Sequence, residues 1–301
     1  DKGIISNGVD VPSQVIDSSG VTHSALTLTL PTGSLTTSEV VLAFKDHVLY
    51  MNNTENGADT PQRVSWSNIG SVSDMINGTA GFQDLTDDDS WIIGAEILSE
   101  NEVAIYKERS IVQCVWMGGH TPFRFTTIVN DTGAISKDCI LKVSGYHIVA
   151  DIDNVFVYNG TNDIKNISDS IKQTMYDRID GTYEGRAFLM LLPEDDEFQF
   201  WIPVGSTTPD EGWSFYLGDK SWYIKGRNIS GYGTYQRQTN LTIGDLVGTI
   251  GEQNFTFGST LAKTFSPITL VGDVNGKVYL LDKNTLNNNA TAITNEFQTP
   301  D

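Results

Sequence analysis

The chain has 301 residues, 39% hydrophobic and 10% aromatic, enough for a sizeable core and against a disordered chain. Its 19 Lys and Arg face 38 Asp and Glu, a formal charge of −19. That excludes gripping a nucleic-acid backbone through a basic surface and favours solubility or basic partners. The apolar runs fall far short of the roughly 18–20 residues a membrane helix needs, so no membrane insertion is expected. No charged-then-apolar leader opens the chain, although one removed before Asp1 would leave no trace.

In chain order, residues 1–39 read as an irregular lead-in. Within it residues 25–30 alternate until Pro31 stops them, which suits an edge strand or one that closes a ring. Residues 40–52 read as a hairpin turning at Lys45-Asp46, residues 53–61 as a polar loop, and residues 63–70 as a strand ending in a turn. Residues 71–90 form an acidic loop with Asp87, Asp88 and Asp89. Four apolar runs follow, 91–98, 103–107, 111–117 and 123–128. They are rich in Val, Ile, Phe and Trp and separated by short polar breaks, the mark of strands joined by tight turns. In the first run Trp91, Ile93, Ala95 and Ile97 share one face, and the other face is also mostly apolar. A strand apolar on both faces must be covered on both, as one blade of a β-propeller is. The turn Lys107-Glu108-Arg109 reads as a solvated hairpin tip and as the first place to look for a subunit contact.

The pattern recurs. Residues 139–161 give strand, Ser-Gly turn, strand, Asp-rich turn, strand; residues 185–204 a hairpin around 193–196; residues 212–226 another hairpin. Residues 267–285 turn at 273–276, where Asn275-Gly276 tolerates positive φ. Segments beginning at Val48, Val103, Val155, Phe198 and Val278 overlay; the first three spacings, 55, 52 and 43 residues, suit four-stranded blades with loops, and the last, 80 residues, is longer. The expected fold is all-β: a β-propeller of four-stranded antiparallel blades, at least five of them, over residues 40–301. Residues 228–265 are an extra blade or an inserted loop. One short helix is expected because Ile167, Ile171, Met175 and Ile179 recur four apart, with Ser168 or Asp169 as N-cap. It would pack on the propeller edge or dock a neighbouring subunit.

Residues that could carry chemistry are sparse. His23, His47, His120 and His147 show no metal or catalytic spacing. Cys114 and Cys139 read as buried free thiols rather than a disulfide. No nucleophile elbow, P-loop or dinucleotide fingerprint is present. Asp151-Ile152-Asp153-Asn154 and Asp273-Val274-Asn275-Gly276 look like calcium-loop fragments but lack the distal Glu of an EF-hand. Ordinary turn chemistry explains them better, since Asp and Asn bond their own backbone in such loops. Glu194, Asp195 and Asp196 read as a solvated turn. Sequons such as Asn77, Asn159, Asn228 and Asn289 matter only on a eukaryotic secretory route. The expected set of catalytic, cofactor-binding and metal-ligating residues is therefore empty, and no cofactor is expected.

Two resemblances add to this. Thr208, Asp210, Gly212 and Trp213 to Phe215 fit the Asp box of sialidase-type propellers, which in that family is a structural turn and not the active site. Residues 41–53, 63–74, 95–119, 134–161, 245–259, 270–282 and 294–301 together resemble the propeller-type tail nozzle, or tail tubular protein B, group of short-tailed bacteriophages, also called head–tail stabilisation proteins. That resemblance implies a non-enzymatic virion protein of the phage tail or neck. It would form a homo-oligomeric ring against portal, adaptor and other tail proteins, with DNA passing through the lumen without sequence-specific binding. An acidic lumen would give phosphates nothing to grip. It also implies that more chain follows residue 301. The alternative is a glycan-binding or glycan-cleaving propeller using Trp213, Trp222, Tyr223 and Tyr232 as stacking platforms, although such aromatics usually belong to blade cores.

Overall fold

A computed structural model describes residues 2–17, 21–192, 195–226, 229–236, 267–281, 287–288 and 291–292. The chain divides into two compact units, Asp1–Arg227 and Asn228–Asp301. The fold is an all-β propeller of antiparallel blades with, among the described residues, a single short α-helix.

The lead-in is more ordered than expected. Strands β1 (Lys2–Ile5), β2 (Ser13–Asp17) and β3 (Val21–Ala25) form a three-stranded sheet. These strands are only four or five residues long, too short for apolar periodicity to mark them, and they pair antiparallel through the backbone. Next come β4 (Leu28–Leu30), β5 (Gly33–Phe44), β6 (His47–Glu55), β7 (Ala58–Trp66) and β8 (Gly81–Asp84), paired in that order as a five-stranded sheet. The expected turn at Lys45-Asp46 is present, with φ of 50° and 59°. The expected polar loop at 53–61 is instead a second hairpin, in which Asn56 and Gly57 turn at φ 53° and 78°. Asn-Gly is a strong hairpin signal. Its flanking strand ends are polar and pair through side-chain bonds such as Thr54 Oγ1 to Asp59 Oδ1 (2.9 Å), which hides them from a hydrophobic pattern.

The four apolar runs are β9 (Ile92–Ser99), β10 (Glu102–Lys107), β11 (Ser110–Trp116) and β12 (Phe123–Asn130), one four-stranded sheet. One expectation fails inside it. Tyr106 pairs with Gly94 and Lys107 with Ile92, so Ile93 is a bulge and parity flips there. Ile92, Ala95 and Ile97 consequently join one core cluster and Ile93 and Leu98 another, while Trp91 is 55% exposed. Strands β13 (Ile140–Val143), β14 (Tyr146–Ala150), β15 (Val155–Tyr158) and β16 (Lys165–Asn166) make the next four-stranded sheet. After helix α1 (Lys172–Tyr176) come β17 (Phe188–Leu192), β18 (Glu197–Ile202), β19 (Glu211–Tyr216) and β20 (Ser221–Gly226), again a four-stranded sheet.

The blades β9 to β12 and β13 to β16 are covered on both faces, as the sequence requires. Val103, Ile105 and Cys114 meet Phe44, Leu49 and Trp66 of the preceding blade. On the other face Ala104, Tyr106 and Ile111 meet Val149, Phe156 and Tyr158 of the next. Leu141, Ile148 and Val155 then meet Leu189, Phe198 and Phe200. Burying one such side chain contributes about 1.5–3 kcal/mol.

The helix is shorter than expected, and Ser168 does not cap it. The N-cap is Ile171, while Ser168 Oγ accepts the Val155 N–H (2.8 Å) and donates to Asn154 Oδ1 (3.0 Å). The four-residue spacing nevertheless marks a real apolar face. Met175 is fully buried and Ile167, Ile171 and Ile179 pack on the same cluster as Phe198 and Phe200.

A polar pair joins two blades. Tyr106 Oη lies 2.7 Å from His147 Nδ1, and His147 Nε2 is 3.2 Å from the Ile97 carbonyl. Only a donating Nε2–H suits that carbonyl, so Nδ1 accepts from the Tyr106 hydroxyl. Burial pushes the His147 pKa down, against the Ile97 hydrogen bond and the Glu96 charge. The unfolded chain therefore takes up this proton first as pH falls. The resulting stability is complete above about pH 6.5 and declines below it. Thermal melts should show a lower Tm at pH 5.5 than at 7.5, with a smaller drop in His147→Gln. Equal drops in the two proteins would exclude His147 as the source.

In the second unit β21 (Gly231–Gln236), β22 (Pro267–Gly272) and β23 (Val278–Leu280) form a three-stranded sheet, and β24 (Asn287–Asn288) pairs with β25 (Thr291–Ala292). The turn at 273–276 is as expected, with Gly276 at φ 75°. Of the possible insertion 228–265, residues 231–236 are a strand, and residues 237–266 lie outside the described residues. The resemblance segments 245–259 and 294–301 also lie outside them.

Candidate functional site

In the first unit β9 packs against β5 on one side and β13 on the other, and β13 packs against β17. Beside these inner strands lies a cavity of about 450 Å3. Its walls come from Thr37 and Glu39 on β5, Asn52 on β6, Asp59 on β7, Trp91 and Ile93 at the start of β9, and residues 135–138. Gly8 closes one side against Glu39. Its φ is +74°, which favours glycine, and a Cβ there would fall 2.7 Å from the Glu39 carboxylate and push it aside.

Hydrogen bonds to the backbone pin several of the walls. Trp91 is held twice by Glu108: its carbonyl accepts the Glu108 N–H (3.0 Å) and its N–H donates to Glu108 Oε2 (3.2 Å). Asn52, at φ 53° in a β-bulge, donates from Nδ2 to the Ile92 carbonyl (2.9 Å). Ile135 N–H reaches the Ala150 carbonyl (3.0 Å), and Ser136 Oγ reaches the Ala187 carbonyl (2.8 Å). The side chains facing the space are less committed. Asp59 accepts from Thr54, but among the described residues Glu39, Lys137 and Asp138 have no side-chain hydrogen bond or ion pair.

Behind Trp91 stands the turn expected to be a solvated tip. Glu108 and Arg109 are exposed, but Lys107 is fully buried. Lys107 Nζ donates to the Leu85 carbonyl (2.8 Å), the Asp88 carbonyl (3.2 Å) and Asp88 Oδ1 (2.7 Å). Asp88 also accepts from Ser110 Oγ (2.5 Å) and from Ser90. Burial would raise the Asp88 pKa, but bonds from Lys107, Ser110 and Ser90 outweigh it and hold the carboxyl well below its usual range. A buried ammonium demands such a partner, so Lys107 serves the interior rather than a neighbouring subunit.

The other sequence candidates take structural places. Asp151 is buried, with its pKa raised by desolvation, and it accepts the Ile152 N–H (2.7 Å). Asp273 accepts the N–H groups of Asn275 (2.8 Å) and Lys277 (2.9 Å). Among the described residues no group of three or more His, Cys, Asp or Glu could hold a metal ion. Asp210 of the Asp-box segment accepts the Val204 N–H (2.7 Å), a turn role, and Trp213 is buried. Trp222 packs in the same cluster and donates to the Ile167 carbonyl (3.0 Å), while the Tyr223 hydroxyl donates to Glu197. Cys114 and Cys139 are buried free thiols, both pushed up to about 12 by burial. In the 193–196 turn Asp196 is exposed at φ 49°, and residues 193–194 lie outside the described residues.

Sequence reasoning missed the cavity residues. Trp91 reads as one more core position in an apolar run until the bulge at Ile93 is known, and Glu39 and Asp138 carry no local signature.

No protein-family model matches the chain, and no curated protein matches it. Among solved structures, a mutant of the Synechocystis apocarotenoid oxygenase aligns at a TM-score of 0.43 and 6% identity over 91% of this chain. The match spans 64% of that protein's length. PorZ, a type-IX secretion component of Porphyromonas gingivalis, aligns at 0.32 and 10% identity over 99% of this chain and 38% of its own. The AfRom2 CNH domain aligns at 0.36 and 10% identity, over 91% of this chain and 88% of the domain. None of these likenesses is strong enough to carry an argument about function.

Proposed function

We propose that this chain is a structural propeller of a short-tailed phage neck or tail, assembling with copies of itself into part of the conduit through which DNA is held and released. One observation carries the reading. The segments that resemble tail nozzle proteins fall on successive blades: residues 41–53 and 63–74 on β5 to β7, 95–119 on β9 to β11, and 134–161 on β13 to β15. The acidic composition and the cavity beside the inner strands, with three carboxylates against one ammonium, suit a surface past which phosphates slide. Such a role needs no catalytic residue and no cofactor. Its place would be the virion, with portal and adaptor proteins as neighbours.

Co-expression with the portal and adaptor proteins encoded beside the gene tests this. A complex that survives size exclusion is expected; neighbouring genes that encode no such proteins would count against the reading. The alternative, a glycan-binding or glycan-cleaving propeller, has lost Trp213 and Trp222 to the blade core and keeps Tyr223 and Tyr232, 40% and 37% exposed, as stacking platforms.

A further inference from the structure

We propose that the cavity beside Trp91 binds an organic cation, an alkylammonium or guanidinium group on a short apolar stem. Glu39, Asp59 and Asp138 line it against a single Lys137, so the space attracts positive charge. Glu39 and Asp138 lack partners among the described residues, leaving their charge for an incoming ligand. Trp91 supplies the complementary surface. A cation over an indole face is held by the ring quadrupole, more strongly for Trp than for Tyr or Phe. At 55% exposure, Trp91 is one of the larger apolar groups that the fold leaves in water, and it lines this cavity. The 450 Å3 volume lies in the range of small-ligand sites, which runs from about 300 to 1,000 Å3.

The walls are also fixed in advance. The paired bonds between Trp91 and Glu108, the Asn52 bond to Ile92 and the Ser136 bond to Ala187 hold three blades and the 135–138 turn in register. Binding there would spend little on ordering the protein. A neutral sugar could stack on Trp91 but would leave the excess carboxylate charge unanswered, and a phosphate would be repelled by it. The inference does not depend on the tail reading. The cation could arrive as a free diamine or polyamine, or on an Arg or Lys side chain of a partner protein.

Isothermal titration calorimetry at low and high salt would test this with agmatine, spermidine, a tri-arginine peptide and maltotriose. At least one of the first three should bind, more weakly at high salt. Affinity should fall about tenfold in Trp91→Ala, recover in part in Trp91→Phe, and fall in Glu39→Gln. Peptide binding without agmatine or spermidine binding would assign the cation to a protein partner, and the converse to a free metabolite. If no cation binds, or if Trp91→Phe and Glu39→Gln bind as tightly as the native protein, the proposal is wrong. Preferential binding of maltotriose would overturn it in favour of a sugar site. Thermal melts of each variant establish that it is folded before its affinity is compared.

Discussion

Replacing Asp88 with Ala should destabilise the protein by about 3–5 kcal/mol, the usual consequence of stranding one charge of a buried pair. The Lys107 side chain is 1% exposed, and without Asp88 its ammonium keeps only backbone carbonyls as partners. Lys107→Met should cost less. Asp88 is 29% exposed, so water can reach its carboxylate, and Ser90 and Ser110 still donate to it. The pH dependence has a definite sign. The Asp88 pKa is lowered in the folded state, so its contribution is present above the unfolded value near 3.8 and fades as pH falls below it. Urea unfolding at pH 7 and pH 3 checks both points. A change under 0.5 kcal/mol in Asp88→Ala at pH 7 would mean that Lys107 is not held as described.

The second large effect is expected from Gly133→Ala, at about 3 kcal/mol. A Cβ on Gly133 would fall 2.0 Å from the Lys107 carbonyl oxygen and 2.5 Å from the Glu108 carbonyl carbon. Both are backbone atoms at the end of β10, and the Lys107 carbonyl already accepts the Ala134 N–H at 3.0 Å. They cannot retreat as a flexible side chain could. Gly145 is the control: an added Cβ meets nothing there, and only its φ of 80° resists substitution, at about 1–2 kcal/mol. A smaller loss of Tm for Gly133→Ala than for Gly145→Ala would contradict this packing. Because Glu108 also holds Trp91, Gly133→Ala should loosen the cavity wall as well.

What the sequence revealed and what it hid follow one rule. The blades at β9 to β12, β13 to β15 and β17 to β20 were legible because both faces of each bury apolar residues, giving dense runs of Val, Ile, Phe and Trp. The sheet of β1 to β3 was not, because its strands are only four or five residues long, and the hairpin at Asn56-Gly57 was not, because polar residues flank it. Lys107 was misread because a charged residue in a turn is usually solvated, and its partner Asp88 lies 19 residues away in a loop with no periodicity. The cavity was invisible for a further reason. Glu39, Asp59, Trp91 and Asp138 come from separate strands and turns, and only the packing of β5, β9 and β13 brings them to one place.

The proposed assembly is tested most directly by electron microscopy of the purified protein, alone and mixed with its neighbouring portal and adaptor proteins. Closed rings with an axial opening are expected in at least the mixed sample. Only isolated propellers in both samples, at concentrations where a ring of this kind would persist, would contradict it.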